Sequence, residues 1–179
     1  MKTLIILCLP LMLLSVFRVH AQAQQKSKRD PASYVDVAAF DKITKEAKAH
    51  RQKRLVTLDD FLKMAQDKNT IVLDTRSKWA FDTLHIEGAR HLNFSDFTEQ
   101  KLAKVLGDKS VRVLIYCNNN FFSESNLPGA VATKAAGLAL NIPTFINLYG
   151  YGYKNVYELG VSVDVDDKRL KLVRKSSAK

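Results

Sequence analysis

The stretch that decides the predicted fold is Val-Arg-Val-Leu-Ile-Tyr-Cys-Asn-Asn-Asn-Phe-Phe, residues 111–122. Residues 111–116 form a short run of mostly β-branched and apolar side chains, which is typical of a strand buried on both faces. Cys117 follows directly, and a polar loop separates it from Pro128, where a helical pattern begins. Ligands of open α/β sheets bind beyond the carboxyl ends of the strands. Cys117 is therefore the first candidate for a reactive group.

Cys117 is the only cysteine that remains once the predicted leader is set aside. An unpaired cysteine is often a buried bystander, because free cysteine packs as a small apolar side chain. The order strand, cysteine, polar loop, helix favours a reactive thiol instead. Loop amides and a helix N-terminus stabilise a thiolate, so we expect the pKa of Cys117 to lie below the roughly 8.5 of a free thiol.

Residues 1–23 are predicted to be a signal peptide. Lys2 gives a positive start, residues 4–16 are an apolar core, and Ala21 and Ala23 offer cleavage sites. The core is too short to favour a transmembrane span. We therefore expect an exported protein, periplasmic in a Gram-negative bacterium and secreted otherwise.

The net charge of +10 lies in the flanks of the chain. Residues 24–54 carry nine basic and four acidic side chains, and residues 166–179 carry six basic and two acidic side chains. The net charge of residues 55–165 is −1. A nucleic-acid-binding domain carries its basic patch on the folded body, so no specific nucleic-acid partner is predicted. We interpret residues 24–54 as a basic linker with a candidate amphipathic helix, and 166–179 as a basic C-terminal tail.

The periodicity of the central region alternates between strand and helix. Strands are predicted at residues 55–57, 70–73, 111–116 and 143–148, and helices at 58–67, 79–84, 98–106 and 128–140. Before them, Phe40, Ile43 and Ala47 recur at helical spacing, with Asp36 as the candidate N-cap. This alternation indicates an α/β fold with a mostly parallel sheet and helices on both faces.

Three separated motifs then resemble a rhodanese-like domain. The first is Leu-Asp-Thr-Arg at 73–76, followed by His-Ile-Glu-Gly-Ala-Arg-His-Leu-Asn at 85–93. The second is Val-Leu-Ile-Tyr-Cys at 113–117, similar to the strand that enters the family's active-site loop. The third is Phe-Ile-Asn-Leu-Tyr-Gly-Tyr-Gly at 145–152, similar to its last strand and glycine turn. We therefore expect a single rhodanese-like domain over residues 55–165.

The resemblance implies sulfur transfer without a cofactor. In the family, a cysteine thiolate takes sulfur from a small anionic donor, becomes a persulfide and passes the sulfur to a thiol acceptor. Cys117 matches that nucleophile, and Asp74, Arg76 and His85 are expected to give structural support. The predicted substrate-binding loop consists of Asn118, Asn119, Asn120, Phe121, Phe122 and Ser123.

This loop departs from the family pattern. Asn120 stands where glycine is common, and Phe122 stands where an arginine often holds the donor. Another cation would then be needed, and the candidates are Arg76, Lys134 and Lys154. Two functions remain open: a sulfurtransferase acting through Cys117, and a non-catalytic rhodanese-like module whose altered loop binds a protein or a small anion. The scattered histidines show no metal-ligand spacing, so no metal is predicted.

Overall fold

The computed structural model describes residues 35–123 and 131–174. Its α-helices are α1 (Val37–Arg51), α2 (Leu58–Ala65), α3 (Lys78–Thr83), α4 (Glu99–Leu106) and α5 (Asn141–Gly150). Its strands are β1 (Leu55–Val56), β2 (Thr70–Asp74), β3 (Leu84–Ile86), β4 (Arg90–His91), β5 (Arg112–Tyr116), β6 (Phe121–Phe122), β7 (Val156–Leu159), β8 (Val163–Asp164) and β9 (Leu172–Arg174).

The centre of the molecule is a five-stranded parallel sheet in the order β1-β7-β5-β2-β4. The middle strand is β5, in which Ile115 lies opposite Leu73 of β2 and Glu158 of β7. Its apolar, β-branched sequence suits a strand that is covered on both faces. Cys117 follows at its carboxyl end, as predicted from the sequence.

Helices cover both faces of this sheet. Because side chains alternate along a strand, Leu114 and Tyr116 pack with Phe61 of α2, whereas Val113 and Ile115 belong to the opposite cluster. That second cluster also contains the buried side chains Ala47 of α1, Leu102 and Leu106 of α4, and Phe145 and Leu148 of α5. The predicted α/β fold with a mostly parallel sheet is confirmed.

Helix α1 forms where the sequence predicted an amphipathic helix. The Asp36 side chain accepts the Ala39 amide at 2.8 Å and caps the helix. Ala47 is completely buried, and His50 contacts the rings of Phe145 and Tyr149 in α5. From Asp36 onward the described residues belong to one compact unit, so α1 is part of the folded body.

Two predictions near the end of the domain are wrong. Residues 131–140 contain no α-helix; they form a loop that includes a 3-10 turn at Ala136–Leu138, and residues 124–130 lie outside the described part of the chain. In the cysteine loop, residues 118–123, the side chains of Asn118 and Asn119 hydrogen-bond the backbone of Ala132 and Lys134. These backbone groups are therefore not available for the hydrogen bonds of a helix. The predicted strand 143–148 lies inside α5, because a short apolar run suits a buried helix as well as a buried strand.

The C-terminal segment contains more structure than a tail. Strand β9 pairs antiparallel with β3, with Val173 opposite His85, and Leu170 just before it is 5% exposed. Residues 166–179 were predicted to be a basic tail, but the segment is part of the folded structure as far as Arg174. The predicted signal peptide lies outside the described residues. In the part of the chain that the structure describes, no helix is long and apolar enough to cross a bilayer.

Candidate active site

The Cys117 thiol lies beyond the carboxyl end of β5, at the base of a small cavity. Its backbone is extended, with φ −144° and ψ −173°, and the residue is 1% exposed. The cavity has a volume of about 250 Å³ and is lined by Arg76, Ser77, Ala80, Cys117, Asn118, Asn119, Lys134 and Leu140. The structure thus brings a thiol and two cationic side chains together.

Three backbone amides face the Cys117 sulfur. The Asn119 amide donates to Sγ at 3.4 Å from the 3-10 turn Asn118–Asn120 that follows the cysteine. The backbone amides of Leu140 and Asn141, at the start of the ten-residue helix α5, lie close enough to the sulfur to lower the pKa of Cys117. Unpaired amides at a helix N-terminus favour a negative charge, so this arrangement stabilises a thiolate.

Burial nevertheless has the larger effect on the thiol. The pKa of Cys117 is raised, chiefly because burial disfavours the charged form, and the Glu158 carboxylate adds a smaller contribution in the same direction. The amides of Asn119, Asn141 and Leu140 lower the pKa without offsetting the burial. The expectation of a pKa below that of a free thiol was therefore wrong, although the amides that it invoked are present.

Asn120 ties the cysteine loop to its surroundings. Its Oδ1 accepts the Cys117 amide at 2.9 Å and the Asn141 side-chain amide at 2.9 Å. Its Nδ2 donates to the carbonyls of Leu159, at 2.7 Å, and Val161, at 3.0 Å. Asn120 is 6% exposed. This side chain fixes the backbone of Cys117 against the start of α5 and the end of β7.

Asn118 and Asn119 hold the segment 131–140 next to the thiol. Asn118 Nδ2 donates to the Ala132 carbonyl at 3.0 Å. Asn119 accepts the Lys134 amide at 3.1 Å and donates to the Lys134 carbonyl at 2.7 Å. These bonds bring Lys134, which the sequence places 17 residues after Cys117, to the wall of the cavity.

Arg76 is the buried cation of the site. Its Nε and Nη2 donate to Asp74, Nη2 also donates to the Leu84 carbonyl, and Nη1 donates to Asn118 Oδ1 at 3.0 Å. A guanidinium has five N–H groups, so one Nη1 hydrogen has no partner among the described residues. Of the three candidate cations, Arg76 and Lys134 line the cavity, whereas Lys154 contacts Tyr149 elsewhere.

Asp74 and His85 lie behind the cavity and not on its wall. The completely buried Asp74 accepts Arg76 and the Tyr116 hydroxyl, the latter at 2.6 Å. Burial, followed by the Asp74 charge, raises the pKa of Tyr116 well above its usual value. His85 stacks on Phe81 at 3.9 Å, and its Nδ1 lies 2.7 Å from the Phe81 carbonyl.

The second half of the predicted loop does not line the cavity. Phe121 is buried against the Tyr116 ring, whereas Phe122 is 45% exposed and lies in β6 beside β8. Ser123 is also absent from the described lining. No cluster of three metal-ligating groups occurs in residues 35–123 and 131–174.

Sequence reasoning missed Leu140 and Asn141, whose amides face the sulfur, because it began the helix at Pro128. It also missed Glu158, a buried carboxylate in β7, and its partner Arg51 in α1. One signal for Glu158 was present: an acidic residue inside the apolar run Val-Tyr-Glu-Leu at 156–159. Nothing local distinguished Arg51 from the other basic residues of α1.

Solved structures that resemble this chain include rhodanese-like domains. The BH2092 protein from Bacillus halodurans is 18% identical, with 66% of this chain and 75% of that chain covered and a TM-score of 0.44. A structure described as rhodanese with anions, from E. coli, is 18% identical, with 59% and 99% covered and a TM-score of 0.39. The Rhodanese_3 like domain of the Alr3790 protein from Anabaena sp. is 15% identical, with 62% and 97% covered and a TM-score of 0.39.

A search among curated proteins found no match. A family model does match: the rhodanese-like domain model covers residues 57–162, from the cap of α2 to the turn after β7. This match includes β5, Cys117 and α5, the elements that form the cavity. Because it spans more than half of the chain, the protein belongs to the rhodanese-like domain family.

Proposed function

We propose that this protein is a sulfurtransferase that carries sulfur as a persulfide on Cys117. The observation that supports this function best is the convergence of the Asn119, Leu140 and Asn141 amides on the Cys117 sulfur. Arg76 and Lys134 add positive charge to the wall of the same cavity. The cavity therefore suits a small anion next to a nucleophilic sulfur.

The first step is an attack on the sulfur donor, for which thiosulfate is the simplest candidate. The Cys117 thiol first loses its proton to solvent, and the thiolate then attacks the outer sulfur of thiosulfate. The bond between the two sulfur atoms of the donor breaks, and sulfite leaves with the electron pair. A polysulfide would react in the same way and leave one sulfur atom shorter.

The second step returns the enzyme to its starting state. The thiolate of an acceptor attacks the outer sulfur of the Cys117 persulfide, and the Cys117 thiolate leaves. The acceptor departs as a persulfide, so sulfur moves between two thiols without a net oxidation. The amides that face Sγ stabilise the anionic sulfur at the beginning and at the end of this cycle.

A second candidate function has its own supporting observation. Cys117 is 1% exposed and its pKa is raised, so the neutral thiol predominates near pH 7. A non-catalytic rhodanese-like module that binds a small anion or a protein through the same cavity would keep such a thiol inert. The two functions differ in whether the folded protein acquires sulfur.

Mass spectrometry of the intact folded protein separates these functions. After exposure to thiosulfate or polysulfide at pH 8.5, a sulfurtransferase gains the mass of one sulfur, and cyanide or a small thiol removes it. Cys117→Ser must abolish the gain while keeping the far-UV circular dichroism spectrum. If folded wild-type protein gains no sulfur and its thiol alkylates only after denaturation, the sulfurtransferase proposal is wrong and the binding module stands.

The place of action is also a proposal. The basic start, apolar core and small residues of 1–23 support export. Comparing the mass of the N-terminus before and after secretion in a bacterial host tests this. Cleavage after Ala21 or Ala23 is the expected result, and an uncleaved cytoplasmic protein would contradict it.

A further inference from the structure

Helix α1 supplies an arginine that reaches the end of the sheet where Cys117 lies. Arg51, in the last turn of α1, pairs with Glu158 through two hydrogen bonds of 2.5 Å, Nε to Oε2 and Nη2 to Oε1. The Glu158 side chain is 4% exposed and that of Arg51 is 29% exposed. Arg51 precedes residue 57, where the family match begins, so the family pattern gives this contact no role.

Glu158 lies on the same face of the sheet as the thiol. Its Cα partner in β5 is Ile115, and Cys117 is two residues further along an extended backbone. Side chains two residues apart in a strand share a face, so Cys117 and Glu158 are diagonal neighbours. The Glu158 charge accordingly disfavours ionisation of the thiol.

The ion pair also adjoins the loop that carries the thiol. Arg51, Glu158, Asn119, Asn120 and Asn141 line one cavity of about 330 Å³. Asn120 donates to the carbonyl of Leu159, the residue after Glu158, and accepts the Cys117 amide. Hydrogen bonds through Asn120 thus join Cys117 to the backbone next to Glu158.

We propose that Arg51 is a positioning residue for chemistry at Cys117: it fixes the Glu158 carboxylate and counterbalances its negative charge beside the sulfur. The other charged side chains at the described thiol site are Arg76, after β2, and Lys134, in segment 131–140. The uncharged side chains there are Ser77, the N-cap of α3, and Ala80 within α3, and the start of α5 contributes backbone amides. Glu158 is therefore the negative group that Arg51 must offset. As a statement about sulfur transfer, this inference rests on the proposed function.

The two partners of the pair provide a test that separates charge from structure. Arg51→Met and Glu158→Gln both break the same ion pair, so a purely structural role predicts effects of the same sign. A role through charge predicts opposite signs. Loss of Arg51 exposes the thiol to an uncompensated carboxylate, whereas loss of the Glu158 charge leaves only the cation.

The measurement is the pH midpoint of Cys117 alkylation by iodoacetamide in the folded full-length protein. We expect Arg51→Met to raise the midpoint and slow alkylation at pH 7.5 about three- to tenfold, a shift of up to about one pKa unit. Glu158→Gln should lower the midpoint, and the double variant should return close to wild type. Arg51→Lys, which retains the charge, should restore most of the rate.

Arg112→Met is the matched control. Arg112 begins β5, the strand that leads to Cys117, pairs with Asp67 at 3.1 Å and is 31% exposed, close to the 29% of Arg51. It lies at the opposite end of the strand, so its loss should leave the midpoint unchanged. Circular dichroism establishes that each variant is folded; should Arg51→Met unfold, Glu158→Gln and the double variant still give the sign.

Alkylation requires an accessible thiol but no sulfur transfer, so the two proposals fail separately when the folded thiol alkylates; a thiol that alkylates only after denaturation would overturn both. Equal or same-sign shifts in Arg51→Met and Glu158→Gln, or an equal shift in Arg112→Met, would overturn the role of Arg51. Absence of a persulfide in wild-type protein, with the opposite shifts intact, would overturn the sulfurtransferase proposal alone.

Discussion

The Cys117 amide donates to Asn120 Oδ1 at 2.9 Å, so the residue that carries the thiol is held by a side chain three positions later. The same oxygen accepts the Asn141 side chain at the start of α5. A glycine at position 120 would remove both bonds. In this protein a buried asparagine therefore fixes the backbone of the loop that follows Cys117.

Replacing Asn120 with alanine should destabilise the protein strongly. Four groups lose their partner: the Cys117 amide, the Asn141 side chain, and the carbonyls of Leu159 and Val161. Unsatisfied buried polar groups cost about 1–3 kcal/mol each, so with partial relaxation we expect a loss of about 3 kcal/mol. Urea unfolding followed by circular dichroism measures this loss.

Asn147→Ala is the control for that variant. Asn147 Nδ2 donates to the Pro143 carbonyl at 2.9 Å within α5, and its loss should cost about 1 kcal/mol. Equal losses in the two variants would show that the Asn120 network contributes no special stability.

The stability of the folded protein should fall at alkaline pH because of Cys117. Burial raises its pKa in the folded state, whereas the unfolded chain keeps a value of about 8.5. Below that value both states hold the proton and the stability is fully present. As the pH rises further, the unfolded state releases the proton first, and stability is lost until the folded pKa is passed.

Comparison with Cys117→Ser isolates this contribution. Between pH 7.5 and 10, wild type should lose more free energy of unfolding than the serine variant, by about 1.4 kcal/mol for each unit by which the folded pKa is raised. Urea titrations across this range measure the difference. Parallel curves for the two proteins would contradict a raised pKa.

Lys134 should strengthen donor binding without supporting the fold. Its side chain is exposed at the cavity, whereas its backbone makes the bonds to Asn119. Lys134→Gln keeps those bonds and should raise KM for thiosulfate about two- to fivefold, as for other exposed charges, with an effect that shrinks at high salt. Lys154→Gln, away from the cavity, should leave KM unchanged; an equal rise would indicate a non-specific charge effect.

The buried pair of Asp74 and Arg76 should be essential for folding. Asp74→Ala removes the acceptor for Nε and Nη2 of a guanidinium that is 3% exposed. Leaving one buried charge unpaired costs about 3–5 kcal/mol. For comparison, Lys78→Ala breaks an exposed pair with Asp82 and should cost less than about 1 kcal/mol. Thermal unfolding of the two variants should differ clearly, and similar melting temperatures would contradict this prediction.

Much of the fold could be predicted because its signals are local. Asp36 caps α1 as predicted, and the helices predicted at 58–67 and 98–106 are present as α2 and α4. One of the two errors concerned α5, where the apolar run of residues 143–148 fits either a helix or a strand. Pro143 lies in the first turn of α5, where it removes no helical hydrogen bond, and it is also the first residue of the predicted strand. It therefore did not distinguish between a helix and a strand.

The thiol end of the site was predictable from β5, and Arg76 and Lys134 were among the three candidate cations. Cys117, Asn118 and Asn119 follow that strand directly, and their position at its carboxyl end followed from the strand pattern. Glu158 and Arg51 depend on β7 being the neighbour of β5 and on α1 packing over the same face. No periodicity along the chain encodes such a neighbour relationship. The raised pKa of Cys117 was missed for a related reason, since burial depends on the whole fold.

The hydrogen bond between Asn120 and Asn141, 2.9 Å long, has a consequence for how this domain can diverge. It joins the cysteine loop to α5 across a gap of 20 intervening residues. A side-chain link does not depend on the length of the chain between its ends, so insertions and deletions there leave the amides of α5 at the sulfur. We therefore expect the folded protein to tolerate changes of chain length between positions 121 and 140 as long as Asn120 and Asn141 are kept.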